Sequence, residues 1–179
     1  VDGEHLVDLS EELLAPWSWL PLPGGAVVVA ASKVGDLFFE DGEGVVYRLD
    51  THLGLIDRIA DNEQAFFEGL EDNLVPWFRC VVVFQAREIG AKLEGMSVFA
   101  LGKPVALGGE FDLENLVHTD LKTHVYFQAE FLRKLAELPP GGKLEDEVVN
   151  GRSVPPTAQG TALAAAKQAV VDETKAAAK

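Results

Sequence analysis

Basic residues and cysteine are scarce in this 179-residue sequence. Lysine and arginine number 15 against 29 aspartates and glutamates, which gives a formal net charge of −14 and an isoelectric point near 4.6. Nucleic-acid phosphates and anionic membrane surfaces both attract clustered basic residues, so this balance argues against either partner. The single cysteine, Cys80, excludes an internal disulfide framework and a cysteine-based zinc cluster, and it is compatible with a reducing cytoplasm.

Long apolar segments are also lacking. The apolar stretch at residues 26–31 is only six residues long and lacks the basic leader of a signal peptide. No run approaches the roughly 18 apolar residues that cross a bilayer. Apolar residues still make up 47% of the sequence, which suffices for a sizeable core. We expect one domain over residues 1–150, a linker over 151–157 and a tail over 158–179.

The acidic residues that are present concentrate in the first half. Residues 1–75 hold 16 acids and three bases, residues 76–150 hold 11 acids and eight bases, and residues 151–179 hold two acids and four bases. An acidic half of this kind either keeps a protein soluble or meets a basic partner. Composition alone leaves both open.

The apolar and turn patterns predict an α+β fold, in which an antiparallel β-meander packs against helices. The predicted strands are 26–31, 36–40, 44–50, 55–60, 96–101 and 115–119. The predicted helices are 10–19, a segment beginning at Asp61, 76–89 and 120–138. Ser10, Asp61 and Asp120 are the expected N-caps. In the helix 76–89 we expect one apolar face of Trp77, Val81, Phe84 and Ile89.

The tail over 158–179 holds nine alanines in 22 positions. Alanine favours helix, yet an isolated helix of this length is marginal in water. Two interpretations stay open: a frayed tail, or a helix docked on the domain or on a neighbouring copy.

Signals for catalysis are weak. No Gly-x-Ser-x-Gly motif occurs, and Gly108-Gly109 lacks the context of a phosphate loop, so these glycines are expected to form a bend. His118, Asp120, His124 and Glu110 could form a metal site, because Asp120 and His124 stand four residues apart on one helix. The alternative is that Asp120 is only an N-cap, His118 faces solvent and His124 packs internally. No cofactor is expected.

A partner surface is the stronger expectation. The acids around the predicted hairpin, Asp36, Glu40, Asp41, Glu43 and Asp50, could attract a basic protein. Trp17 and Trp19 either close the edge of the core or anchor a partner, since tryptophan is common at interface hot spots. The sequence carries no signal for oligomeric state.

Three stretches carry a family resemblance. They are Gly35-Asp-Leu-Phe-Phe-Glu40 with Gly44-Val-Val-Tyr-Arg-Leu-Asp50 and Ile59-Ala-Asp61; Lys103-Pro-Val-Ala-Leu-Gly-Gly-Glu-Phe111 with Glu114-Asn-Leu116; and Thr119-Asp-Leu-Lys-Thr-His124 with Leu138-Pro-Pro-Gly-Gly142. In this order they resemble the C-terminal domain family of type VI secretion immunity proteins, where a GAD-like domain often precedes. The hairpin is similar to the SUKH superfamily of toxin-neutralising proteins. The resemblance covers roughly residues 15–143.

The resemblance implies an α+β, SUKH-like fold, a cytoplasmic location, no catalysis and direct binding of a toxin. Combined with the acidic first half, it predicts a basic toxin as the partner. Two alternatives stay open: a general peptide- or ligand-binding accessory domain of the same fold, and a metal-dependent hydrolase that uses the histidine set above.

Overall fold

A computed structural model of the chain describes residues 3–139, and the side chains from Leu6 onward. The predicted linker over 151–157, the tail over 158–179 and the end of the predicted domain lie outside the described residues. The helices are α1 (Gly3–Asp8), α2 (Ser10–Leu14), α3 (Glu63–Glu68), α4 (Leu70–Phe78), α5 (Cys80–Glu88) and α6 (Leu121–Glu137). Single 3₁₀ turns lie at Ala15–Trp17 and Val105–Leu107.

The predicted meander is confirmed. Its strands are β1 (Val27–Ala31), β2 (Leu37–Glu40), β3 (Val46–Asp50) and β4 (Leu55–Ala60). They pair in chain order and antiparallel throughout, with one bulge in β1 at Val29 and one in β4 at Ile59, opposite the start of β3. A second sheet consists of β5 (Ser97–Leu101) and β6 (Leu116–Asp120), also antiparallel. The α+β architecture is therefore as predicted.

Both faces of the meander are covered, and β2 shows why its sequence is continuously apolar. Leu37, Phe38 and Phe39 are all fully buried. Successive strand residues point to opposite faces, so a strand with helices on both sides has no polar face. Leu37 and Phe39 join one core cluster, whereas Phe38 joins another on the opposite face.

The first face packs against α1, α2 and α6. Leu13, Trp17, Val125 and Ala129 pack with Leu37 in its large core cluster. Helix α6 has a strongly amphipathic pattern and turns its buried residues, including Leu121, Val125 and Leu132, toward this core. Its predicted start is also confirmed, because Oδ1 of Asp120 accepts the backbone N–H groups of Lys122 (2.9 Å) and Thr123 (3.2 Å).

The second face packs against α3 and α4. Phe66 of α3 is buried against Phe38, with ring centroids 5.3 Å apart. Phe78 of α4 stacks on the same Phe38 ring at 4.6 Å, and Trp77 stacks on Phe66 at 5.7 Å. Helix α5 then crosses to the second sheet and buries Val82 and Ala86 in a cluster with Phe99 and other residues of β5 and β6.

Two predicted N-caps are each wrong by one residue. The N-cap of α3 is Asn62 rather than Asp61, and its side chain accepts the backbone N–H of Ala65 at 2.8 Å. The N-cap of α2 is Leu9, and Ser10 is the first residue of that helix rather than its cap. Its hydroxyl instead accepts the backbone N–H of Val28 at 2.8 Å, so it ties α2 to β1.

The single helix predicted over 76–89 is wrong. Helix α4 begins at Leu70 and ends at Phe78, and α5 begins at Cys80. Arg79 separates them with φ +48°, a left-handed conformation that ends a helix. The break changes which residues are buried: α5 buries Val82 and Ala86, whereas Val81 and Phe84 of the predicted face are exposed.

Candidate functional site

The fold divides the predicted acidic surface into an exposed and a buried part. Glu43 is exposed at the β2–β3 turn, and Glu40 and Asp41 are half-buried beside it. Oδ1 of Asp41 accepts the backbone N–H groups of Glu43 (2.9 Å) and Val45 (3.0 Å). Partial burial acts to raise the pKa of Asp41, but these donors outweigh it and lower the pKa. Asp41 therefore holds the turn as an ionised group.

Asp36 and Asp50 lie inside the protein, which corrects their expected place on the partner surface. Both carboxylates are buried, and both bind the guanidinium of Arg79. Asp36 also accepts the backbone N–H of Thr51 (3.2 Å), and Asp50 accepts that of His52 (3.0 Å). A buried charge is tolerated only when it is paired and hydrogen-bonded, and these contacts provide that.

Arg79 is the centre of this buried ion cluster. Arg79 lies between α4 and α5, and its guanidinium bridges Asp36, just before β2, and Asp50 at the end of β3. Its Cζ also lies 4.3 Å from the centroid of the Phe111 ring. An arginine suits this position because its planar fork can serve two carboxylates and stack on an aromatic ring at once.

The cluster perturbs one carboxyl group strongly. Burial raises the pKa of Asp36 to about 7, with Arg79 acting in the opposite direction and the neighbouring Asp50 adding to the increase. Arg48 lowers the pKa of Asp36 to a smaller extent than Arg79, so the two cations only partly offset the effect of burial.

Two buried histidines extend the cluster. Nε2 of His52 lies 2.9 Å from the carbonyl oxygen of Val34, which can only accept, so this nitrogen carries the proton. Nδ1 of His52 then accepts from the Gln128 amide at 3.4 Å. Nε2 of His124 lies 3.0 Å from Oγ1 of Thr51. His52 also meets the Phe111 ring edge-on, with centroids 4.7 Å apart.

Gly35 is required by this arrangement. Its φ is +91°, and a Cβ atom there would lie 2.3 Å from Cδ2 of His124. Any larger residue would therefore both strain the backbone and collide with the histidine ring. The glycine of the first motif and the histidine of the third are in direct contact.

The glycine-rich loop of the second motif presents Phe111. Asn115 locks this loop: its Oδ1 accepts the N–H of Lys103 (2.7 Å), and its Nδ2 donates to the carbonyls of Lys103 and Glu110 (2.9 Å each). The predicted bend at Gly108-Gly109 is confirmed. A Cβ on Gly109 would lie 1.8 Å from the Lys103 carbonyl oxygen. The three motifs thus converge on one structural cluster.

The two tryptophans of the predicted partner surface lie in or against the core. Trp17 is fully buried, so it closes the core as the first interpretation held, and it is not exposed to a partner. Trp19 is half-buried and stacks on Trp17 with ring centroids 6.1 Å apart. Of these two tryptophans, Trp19 alone is partly exposed to solvent.

The weak metal candidates are not brought together. Across the described part of the chain, no three histidine, cysteine, aspartate or glutamate side chains lie close enough to hold a metal ion. Asp120 caps α6, and His124 packs against Gly35 and Thr51. His118 is half-buried rather than solvent-facing and meets Phe99 edge-on, and burial lowers its pKa although Glu94 opposes this.

Arg79, His52 and Phe111 were not recognised in the sequence as members of one cluster. A signal for Arg79 did exist, because it is the one charged residue within Trp77-Phe-Arg-Cys-Val-Val-Val-Phe84. A cation in an apolar run implies a buried anion nearby. Asp36, next to Leu37-Phe38-Phe39, is the matching acid, but pairing the two needs the tertiary fold.

The chain folds as an α+β domain, and residues of its three sequence motifs form the buried structural cluster around Arg79. Residues 60–131 match the family model described as T6SS immunity protein Tdi1, C-terminal. This match confirms the resemblance to the C-terminal domain family of type VI secretion immunity proteins. It covers well under half of the chain, beginning at the last residue of β4 and ending within α6. No curated protein matches the chain.

The helices of residues 3–139 are too short or too polar to span a membrane.

Proposed function

We propose that this protein is a non-catalytic immunity protein that acts in the cytoplasm and neutralises a toxin delivered by type VI secretion through direct binding. The observation that carries the proposal is the match of residues 60–131 to an immunity-protein family. The structure is compatible with a binding role, because the motif residues form a structural cluster around Arg79.

The proposed partner is a basic toxin. The protein carries a net charge of −14, and the acids of its first half that remain accessible include Glu40, Asp41 and Glu43 at the β2–β3 turn. Complementary charge accelerates association and disfavours wrong partners. We propose this turn as an electrostatic contact and Trp19 beside the core as a minor one.

The proposal predicts that a toxin gene lies adjacent to this one, and the test uses the product of that gene, as an inactive variant for binding and as the active toxin for growth rescue. Glu40→Lys with Glu43→Lys reverses the charge of the two glutamates at the turn but leaves Asp41, which holds the turn. The matched control is Asp8→Lys with Glu11→Lys, which makes the same charge change on the exposed residues of α1 and α2.

We expect co-expression of the wild-type protein to rescue growth. The turn variant should associate about tenfold more slowly at low salt, and the difference should shrink at high salt because exposed charges are screened. Equal association of the turn and control variants would remove the turn from the interface. A wild-type protein that binds without rescuing growth would favour the accessory-domain alternative, and one that does not bind would refute the proposal.

A further inference from the structure

The helical segment α3–α5 leaves an unusual number of large apolar side chains in solvent. Of the ten described large apolar residues that are exposed, five lie within residues 63–88. They are Phe67 (51% exposed), Leu74 (42%), Val75 (57%), Val81 (53%) and Phe84 (54%). Single exposed apolar residues are ordinary, whereas a concentration of them marks an interaction surface.

These side chains point away from the core because the opposite sides of the same helices already pack against the sheets. In α4, Trp77 and Phe78 face the aromatic cluster of the meander. In α5, Val82 and Ala86 face the second sheet. Val81 and Phe84 are one helical turn apart and lie on the solvent side of α5. We call the five exposed residues the helical apolar face.

The helices that carry most of the helical apolar face are held in place by polar contacts near the junction of α4 and α5. Arg79 binds the buried carboxylates of Asp36 and Asp50 at the junction of α4 and α5. Arg48 of β3 donates to the carbonyl oxygen of Pro76 at 2.6 Å, near the end of α4. None of the nine residues of α4 is fully buried, so these contacts fix a helix that burial alone fixes weakly.

The charge around the face argues for one kind of occupant. Glu63, Glu68, Glu71 and Asp72 are all exposed on α3 and α4, and no lysine or arginine occurs between Arg58 and Arg79. On α5 the exposed Arg87 and Glu88 offset each other, so the acidic excess lies on the α3 and α4 part of the face. A second copy of this chain would bring the same acids together and be repelled. A partner that offers basic residues around apolar side chains would satisfy both features of this surface.

We infer that the helical apolar face is the anchoring site for a basic, partly apolar surface of the toxin. This inference rests on the proposed function and adds the contact region to it. The face lies wholly within residues 60–131, the part of the chain that matches the immunity family. In this arrangement the acids steer association, and Val81 and Phe84 supply the buried contact that determines dissociation.

The test compares two pairs of exposed apolar residues. Val81→Ser with Phe84→Ser removes apolar contact from the face. Leu55→Ser with Tyr126→Ser is the matched control, because both residues are similarly exposed (53% and 62%) but lie on β4 and α6. Each full-length variant is titrated with the inactive toxin of the adjacent gene. Its unfolding curve is also measured, and Phe84→Ser alone replaces the double variant if that variant fails to fold.

We expect the face variant to bind at least about tenfold more weakly, mainly through faster dissociation, and the control to stay within about twofold. A face variant that binds as tightly as the wild type would overturn the inference and leave the proposed function intact. A wild-type protein that fails to bind would overturn both. Sedimentation that shows a wild-type dimer dissolved by the face variant would assign the face to a second copy and also overturn the inference.

Discussion

The two faces of the meander are covered by helices in different ways. On the first face, α1, α2 and α6 bury a continuous apolar core that includes Leu13, Trp17 and Val125. On the second, α3 and α4 add a smaller cluster around Phe38 and Phe66, and the α4–α5 junction is fixed by Arg79. On the first side burial is accompanied by hydrogen bonds such as Val28 to Ser10 and Thr51 to His124, whereas the second side adds a specific ion cluster.

This difference shows how a small domain can keep apolar residues available for a partner. A helix held mainly by its own apolar residues must turn them inward. Arg79 and Arg48 supply part of the attachment of α4 through polar contacts, so Leu74 and Val75 remain outside. Surface that is not needed for folding is then free to serve binding.

The largest expected effect is a difference in the free energy of unfolding between variants of a buried and of an exposed aromatic residue. Phe38→Ala should lower the free energy of unfolding by about 3–5 kcal/mol, because it removes a fully buried ring that contacts Phe66 and Phe78. Phe84→Ala should change it by no more than about 0.5 kcal/mol. Chemical denaturation of both variants checks this, and similar losses would mean that the helical apolar face contributes to folding.

The next effect tests the ion cluster. Arg79→Ala should cost about 3 kcal/mol, since it leaves two buried carboxylates without their cation, although the Arg79 side chain is 19% exposed. Arg58→Ala is the control, because its pair with Asp61 is exposed, and it should cost less than about 1 kcal/mol. Equal losses in denaturant titrations would show that the cluster does not hold α4 and α5.

A smaller effect concerns pH. The pKa of Asp36 is about 7 in the folded protein against an ordinary value of 3.8, so the folded state binds this proton more tightly than the unfolded state. Its stabilising contribution is therefore complete below about pH 4 and is lost as the pH rises through about 7. Asp36→Asn, which mimics the protonated form, should remove this dependence.

The measurement is the free energy of unfolding of both proteins between about pH 5 and pH 8. The wild type should lose stability relative to Asp36→Asn as the pH rises. A difference that does not vary with pH would show that Asp36 stays ionised beside Arg79 throughout.

The sequence predicted the meander and α6 well because their signals are local. The turn at Asp41-Gly42 and the cap at Asp120 each act within a few residues. It failed at residues 70–89, where Val81-Val-Val83 and Pro76 suit several structures. There the decisive contact is Arg79 with Asp36, 43 positions apart in the chain.

The candidate site was predicted only in part, for a similar reason. Asp36 and Asp50 look like surface acids in the sequence because charge usually lies outside, and only the tertiary position of Arg79 explains their burial. Glu40, Asp41 and Glu43 do lie at the turn where the hairpin signal placed them. The exposed side of α5 could not be identified without knowing where α4 ends.

Amide hydrogen exchange of the full-length protein, with and without the inactive toxin of the adjacent gene, tests the central claim most directly. The account predicts slower exchange on binding across residues 63–88, with a smaller change at the β2–β3 turn. Protection confined to α1, α2 and α6, with residues 63–88 unchanged in a complex that forms, would contradict it.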